Sequence, residues 1–208
     1  VIVPTRVLAA GNIVLNPATG PPGTYVTITG AGWGAYAAGT SCTLSSAATG
    51  LVASPKSCTI GPGGTIFGGF VVGDVPGDPA GYDVFAAVGS DMSAAGVLFT
   101  VIAGISLSPI FGPPTIHVTI TGGGFSTTGL CFITSVAPGL IAAGSDVCTV
   151  SGTAKMIASG SGFDVDAAAG PGVYTVQVAI GGDTPTAPFT VIVGPSVVVA
   201  PSSGPHGL

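Results

Sequence analysis

One stretch occurs twice, and it constrains the fold more than any other feature. The first copy reads Asn16-Pro17-Ala18-Thr19-Gly20-Pro21-Pro22-Gly23-Thr24-Tyr25-Val26-Thr27-Ile28-Thr29-Gly30-Ala31-Gly32-Trp33. The second reads Ser108-Pro109-Ile110-Phe111-Gly112-Pro113-Pro114-Thr115-Ile116-His117-Val118-Thr119-Ile120-Thr121-Gly122-Gly123-Gly124-Phe125. They align without a gap, so the chain is a tandem duplication with a repeat of domain size. In each copy Gly-Pro-Pro marks a turn, because proline presets φ and glycine tolerates positive φ. The alternation that follows puts Val26 and Ile28, or Ile116, Val118 and Ile120, on one face and threonines on the other. Period two of this kind is a half-buried antiparallel strand. A Gly-x-Gly-aromatic segment ends the strand and is expected to drop Trp33 or Phe125 into a core.

Composition points the same way. Charged residues make up 5% of the chain, against roughly 25% in ordinary globular domains. There is no Glu, and the only bases are Arg6, Lys56 and Lys155. Abundant Gly and Pro with Val-, Ile- and Thr-rich alternation indicate an all-β protein with many tight turns. So few bases exclude a nucleic-acid partner, which needs a positive face. No apolar run reaches the ~20 residues of a membrane-spanning helix. With charge this sparse, outward positions must be small or apolar, and such surface calls for cover by neighbouring subunits or glycans. Neither Asn12 nor Asn16 begins an N-glycosylation triplet, so glycans would be O-linked on Ser or Thr.

The quoted motif resembles the opening of IPT/TIG domains, which are immunoglobulin-like sandwiches. The resemblance implies two tandem immunoglobulin-like β-sandwich domains, at residues 12–103 and 104–194. It implies little about function, since such domains serve receptors, enzymes and surface proteins alike. Tyr82 and Tyr174 fall at equivalent places and resemble the corner tyrosine of these folds, whose hydroxyl ties back to main chain.

The cysteines fall two per repeat, Cys42 with Cys58 and Cys131 with Cys148, at nearly equal spacings. One disulfide inside each domain is expected; zinc is the weaker alternative without close Cys-x-x-Cys or His partners. Disulfides imply an oxidising location, extracellular or at the cell surface. The first residue is valine, which fits either removal of a secretion signal or a boundary within a longer chain.

Both ends carry further strand-like sequence. Val1, Ile2, Val3, Pro4, Thr5, Arg6, Val7, Leu8, Ala9 and Ala10 precede the first domain's opening strand (segment 1–11). Residues 195–208 resemble the start of a third repeat. An isolated apolar strand is prone to pairing. The expectation is a head-to-tail homopolymer in which residues 1–10 of one subunit add to an edge, or fill a groove, of the next. Low charge, β-sandwiches and an extra terminal strand are similar to the subunits of secreted donor-strand-linked filaments on archaeal and bacterial surfaces. The alternatives are a secreted adhesion or binding module, a surface-layer component, or an accessory β-domain of a secreted enzyme.

Chemistry is sparse. His117 lies on the threonine face of a strand and His206 in the tail, and Gly160-Ser161-Gly162 reads as a turn rather than a nucleophile elbow. Asp74, Asp78 and Asp83, or Asp164 and Asp166, match no calcium loop. Lys56 and Lys155 are not equivalent, which argues against a shared crosslink. No cofactor, metal or catalytic residue is expected.

Overall fold

A computed structural model describes residues 11–75, 80–93 and 95–193. The first repeat contributes β1 (Asn12–Asn16), β2 (Thr19–Gly20), β3 (Tyr25–Ala31), β4 (Thr43–Ser46), β5 (Val52–Ile60), β6 (Ile66–Val72), β7 (Gly81–Val88), β8 (Asp91–Met92) and β9 (Val97–Val101). The second contributes β10 (Gly104–Ser108), β11 (Phe111–Gly112), β12 (His117–Gly123), β13 (Gly129–Ser135), β14 (Val147–Ser151), β15 (Met156–Ile157), β16 (Gly162–Asp164), β17 (Gly172–Ala179) and β18 (Thr186–Val191). A 3-10 turn at Pro62–Gly64 is the only helical element among the described residues.

In the first repeat, the sheet β1-β3-β6-β5 faces the sheet β2-β9-β7-β4. In the second, β10-β12-β16 faces β11-β18-β17-β13-β14-β15. Each is an immunoglobulin-like sandwich, with an opening strand that begins in one sheet and crosses to the other. The duplication is preserved residue for residue at the start. Asn12 pairs with Ala31 and Asn16 with Thr27, and Gly104 pairs with Gly123 and Ser108 with Thr119. Then β2 runs parallel to β9, and β11 to β18, over two residues each.

The Gly-Pro-Pro turn keeps its geometry in both copies. Gly23 has φ of 89°, and Thr115, its counterpart, is held at 69°. A threonine accepts that left-handed conformation only where its surroundings impose it. The positive φ at Thr115 also explains why β12 starts at His117 and not at Thr115, where alternation alone places it.

Alternation sorts the side chains. Ile13, Leu15, Val26 and Ile28 point inward from β1 and β3, and Trp33 is buried at the end of β3. Leu107, Val118, Ile120 and Phe125 repeat this in the second core. Each sandwich is pinned across its sheets by one edge-to-face aromatic pair. Phe70 on β6 meets Phe99 on β9 at 6.3 Å between ring centres, and Phe163 on β16 meets Phe189 on β18 at 6.0 Å. Such pairs add about 0.5–1.5 kcal/mol beyond the area they bury. Tyr174 closes its corner by donating from its hydroxyl to the Gly170 carbonyl at 2.9 Å.

The repeats diverge after the cysteine strand. In both repeats the two cysteines stand opposite one another: Cys42, just ahead of β4, donates its N–H to the Cys58 carbonyl beside the Ser41–Thr59 bridge, and Cys131 on β13 pairs with Cys148 on β14. The difference is that β5 lies in the sheet of β6, whereas β14 lies in the sheet of β13. The Cα atoms of each pair are 4.9 Å apart. Alternation also left several short strands unread, among them β15 and β16. Gly162 is the first residue of β16 and not part of a turn.

Truncating Phe189 to alanine is expected to cost about 3–5 kcal/mol, because a fully buried ring and its cross-sheet partner are both lost. Denaturant unfolding should show the loss. Replacing Cys131 and Cys148 together by serine removes a loop constraint of about 3 kcal/mol and should lower the unfolding midpoint by a comparable amount.

Candidate assembly interface

The residues that suggested chemistry are scattered. His117 on β12 faces Asp164 across the β16 pairing, with its Nδ1 2.8 Å from Oδ1 of the carboxylate. Both side chains are more than half exposed, so this is a solvated cross-strand pair. Asp166 turns back on its own loop, its Oδ1 accepting the Ala168 N–H. Among the described residues no three His, Cys, Asp or Glu side chains gather as metal ligands. Asp78, His206, the proposed donor Val1–Ala10 and the tail 195–208 lie outside the described residues.

A polar knot that alternation could not reveal joins three loops of the second domain. Asp183 accepts from both the N–H and the hydroxyl of Ser126, each at 2.6 Å, and Lys155 Nζ donates to the Ser126 carbonyl at 2.6 Å. The residues lie 57 and 29 positions apart in the chain, beyond the reach of any local motif.

Exposed apolar surface and sheet edge are better developed than any cluster of reactive side chains among the described residues. On β13 the cysteine fixes the phase: Cys131 and Ile133 are buried, so Leu130 and Phe132 must point out. They are 66% and 57% exposed, and Phe132 pairs with Val147 on one side and Ala179 on the other. The result is an apolar row across the outer face of β14, β13 and β17. Sequence alternation held the clue, since the disulfide half-cystine must face inward.

Sheet edges are the second surface. Natural sheets guard their edges with short strands, bulges, proline and lysine. Strand β5 has a register break between Ala53 and Ser57, and Pro55 and Lys56 fall inside it. On β18, Thr190 donates outward to Ile110. Two residues back, the same outward position is Pro188, which has no N–H to offer. In the first repeat Thr100 donates outward to Ala18, and two residues back stands Leu98, whose N–H is aimed at edge that β2 leaves uncovered. The outer sides of β1 and β10 are five residues long and contain no proline. Among the described residues, unguarded edge thus remains in both domains, at β1 and the start of β9 in the first and at β10 in the second.

Among the described residues no helix is long and apolar enough to cross a membrane. No protein-family model matches the chain, and no curated protein matches it. Among solved structures, the D0-D1 domain of intimin aligns over 88% of this chain and 100% of its own, at 10% identity and a TM-score of 0.37. The Escherichia coli adhesin FdeC aligns over 90% of this chain and 65% of its own, at 12% identity and 0.35. InvD of Yersinia pseudotuberculosis aligns over 95% and 61%, also at 12% and 0.35. This chain thus spans less than two thirds of the FdeC and InvD structures. Likenesses at this level say nothing about function.

Two substitutions separate surface from core here. His117→Ala should change stability by no more than about 0.5 kcal/mol, as exposed ion pairs do. Phe132→Asp should leave the melting temperature near that of the parent while lowering binding of a hydrophobic dye.

Proposed function

We propose that this chain is an extracellular structural subunit whose copies join head to tail, by β-strand donation, into a filament or sheath. Residues 1–10 are the donor, and an unguarded sheet edge of the next copy receives them. The observation that carries the reading is an outer surface that is scarcely charged, locally apolar and bordered by unguarded edges. Surface of that kind is stable in water when other protein covers it. Strand addition suits it, because main-chain hydrogen bonds give affinity and alternate side chains find contacts. A contact between two different surfaces of the same chain propagates into an open filament where its rotation closes no ring. Two intradomain disulfides support an oxidising, extracellular or cell-surface location. The reading assigns no catalytic step, cofactor or metal, and leaves Ser and Thr side chains for O-linked glycans.

The exposed row through Phe132 favours a second reading, a surface adhesion module that binds another macromolecule through its second domain. An aromatic at the centre of an apolar patch is a common binding hot spot.

Negative-stain microscopy of the purified chain and of a variant lacking residues 1–10 separates these. Fibres from the full chain that vanish on deletion are the expected result. Fibres that persist would transfer the donor role to residues 195–208. A soluble monomer that forms no fibres at any concentration would leave the adhesion reading.

A further inference from the structure

Two exposed rings on the outer face of β1-β3-β6-β5 lie down along the sheet instead of standing away from it. Tyr25 on β3 is paired with Val71 but reaches diagonally to Gly69 on β6, where a Cβ would lie 2.5 Å from its phenol oxygen and 2.7 Å from its Cζ. Phe67 on β6 is paired with Thr59 and leans over Gly61, just past the end of β5, where a Cβ would lie 3.1 Å from its Cε1. Both glycines are buried, yet Tyr25 and Phe67 stay half exposed. One side of each ring therefore rests on backbone while the other is open to solvent. The rings are about 14 Å apart, one strand over and four residues along at ~3.4 Å each.

Covering a strand glycine with a cross-strand ring stabilises a sheet, and that accounts for the inner side of each ring. It does not account for what lies between them. The register sets Asn16, Thr27 and Ser57 in one row with Gly69, and Thr29 and Thr59 in the next row with Phe67. The Thr27 hydroxyl donates to the Asn16 carbonyl at 2.8 Å, which leaves its oxygen able to accept a further bond. Among the described residues, none of the side chains that β1, β3 and β6 turn outward is charged. The second repeat carries the arrangement once: His117 lies over Gly162, its Nε2 2.8 Å from where a Cβ would be. There the ring is held by Asp164, and among the described residues no second ring shares that face. The paired platform belongs to the first domain.

We infer that this face binds an extended, uncharged polysaccharide of equatorially linked sugars. Such a chain is a ribbon, with C–H groups on the flat faces of its sugar rings and hydroxyls along its edges. The C–H faces stack on Tyr25 and Phe67, whose ring faces are electronegative. The hydroxyls bond to Asn16, Thr27 and Thr29. Two reclining rings and the bare backbone of Gly69 keep the surface flat enough for a ribbon to lie across it. A face without charge matches a ligand without charge, and it offers nothing to an anionic glycan or a phosphate. A strand added beside β1 would extend this sheet without covering its outer face, so the inference stands apart from the filament reading.

Titration calorimetry of the full-length chain with cellohexaose, and with oligogalacturonate of the same length as an anionic control, tests this. Cellohexaose should bind and the anionic oligomer should not. Tyr25→Leu keeps Gly69 covered without offering a ring face, and Phe67→Leu does the same at Gly61. Each should hold the parental melting temperature and weaken binding by about fivefold, the worth of one aromatic stack. Tyr25→Phe and His117→Ala should bind like the parent. A folded parent that does not bind cellohexaose, equal binding of both oligomers, or unchanged affinity in both leucine variants would overturn the inference. Leucine variants that alter the chain's sedimentation, with no sugar bound by the parent, would make this face a contact between copies and also overturn it.

Discussion

The close approach of glycine backbone to a proline turn is the contact on which the form of this molecule depends. It converts a motif that each sandwich needs for its own folding into a joint between sandwiches. The Gly-Pro-Pro turn redirects the opening strand from one sheet to the other within its own domain. Gly104, Gly123 and Gly124 of the second domain, having no Cβ, admit the Pro21-Pro22 turn of the first domain to within van der Waals distance. Had those positions carried ordinary side chains, the two domains would be beads on a linker. Here the link is two residues long, Ile102-Ala103.

The same logic governs the surface. A cross-sheet pair of phenylalanines pins each core, and exposed apolar groups such as Phe132 lie on outward strand faces. With charge almost absent, the usual means of keeping a monomer apart from its copies is missing. Edge defence is distributed unevenly: Pro188 and the bulge around Pro55 protect two edges, while β1, β10 and the start of β9 have no such device. Open edges of this kind are the part of a sheet that can accept a further strand.

Much of the fold was legible in the sequence because the duplication doubled each signal. The opening strand, the turn and the buried Trp33 or Phe125 each occur twice in the same register, and alternation assigned their faces correctly. The rest depends on contacts distant in sequence. Short strands such as β15 and β16 carry too few residues for a periodic signal. Whether the strand after the cysteine pairs with β6 or with β13 is decided by tertiary packing, and the two repeats decide it differently. The Ser126–Asp183–Lys155 knot involves ordinary loop residues with no local pattern. The interdomain joint was hidden for another reason: glycine read as a strand terminator gives no hint of what comes to rest against it.

Sedimentation of the purified full-length chain over a wide range of concentration tests the central claim most directly. Association through two unlike ends predicts a weight-average mass that rises continuously with concentration and reaches no plateau at a dimer or any closed ring. A mass fixed at the 19.7 kDa of one chain across that range, or one that levels off at a small closed oligomer, would contradict it.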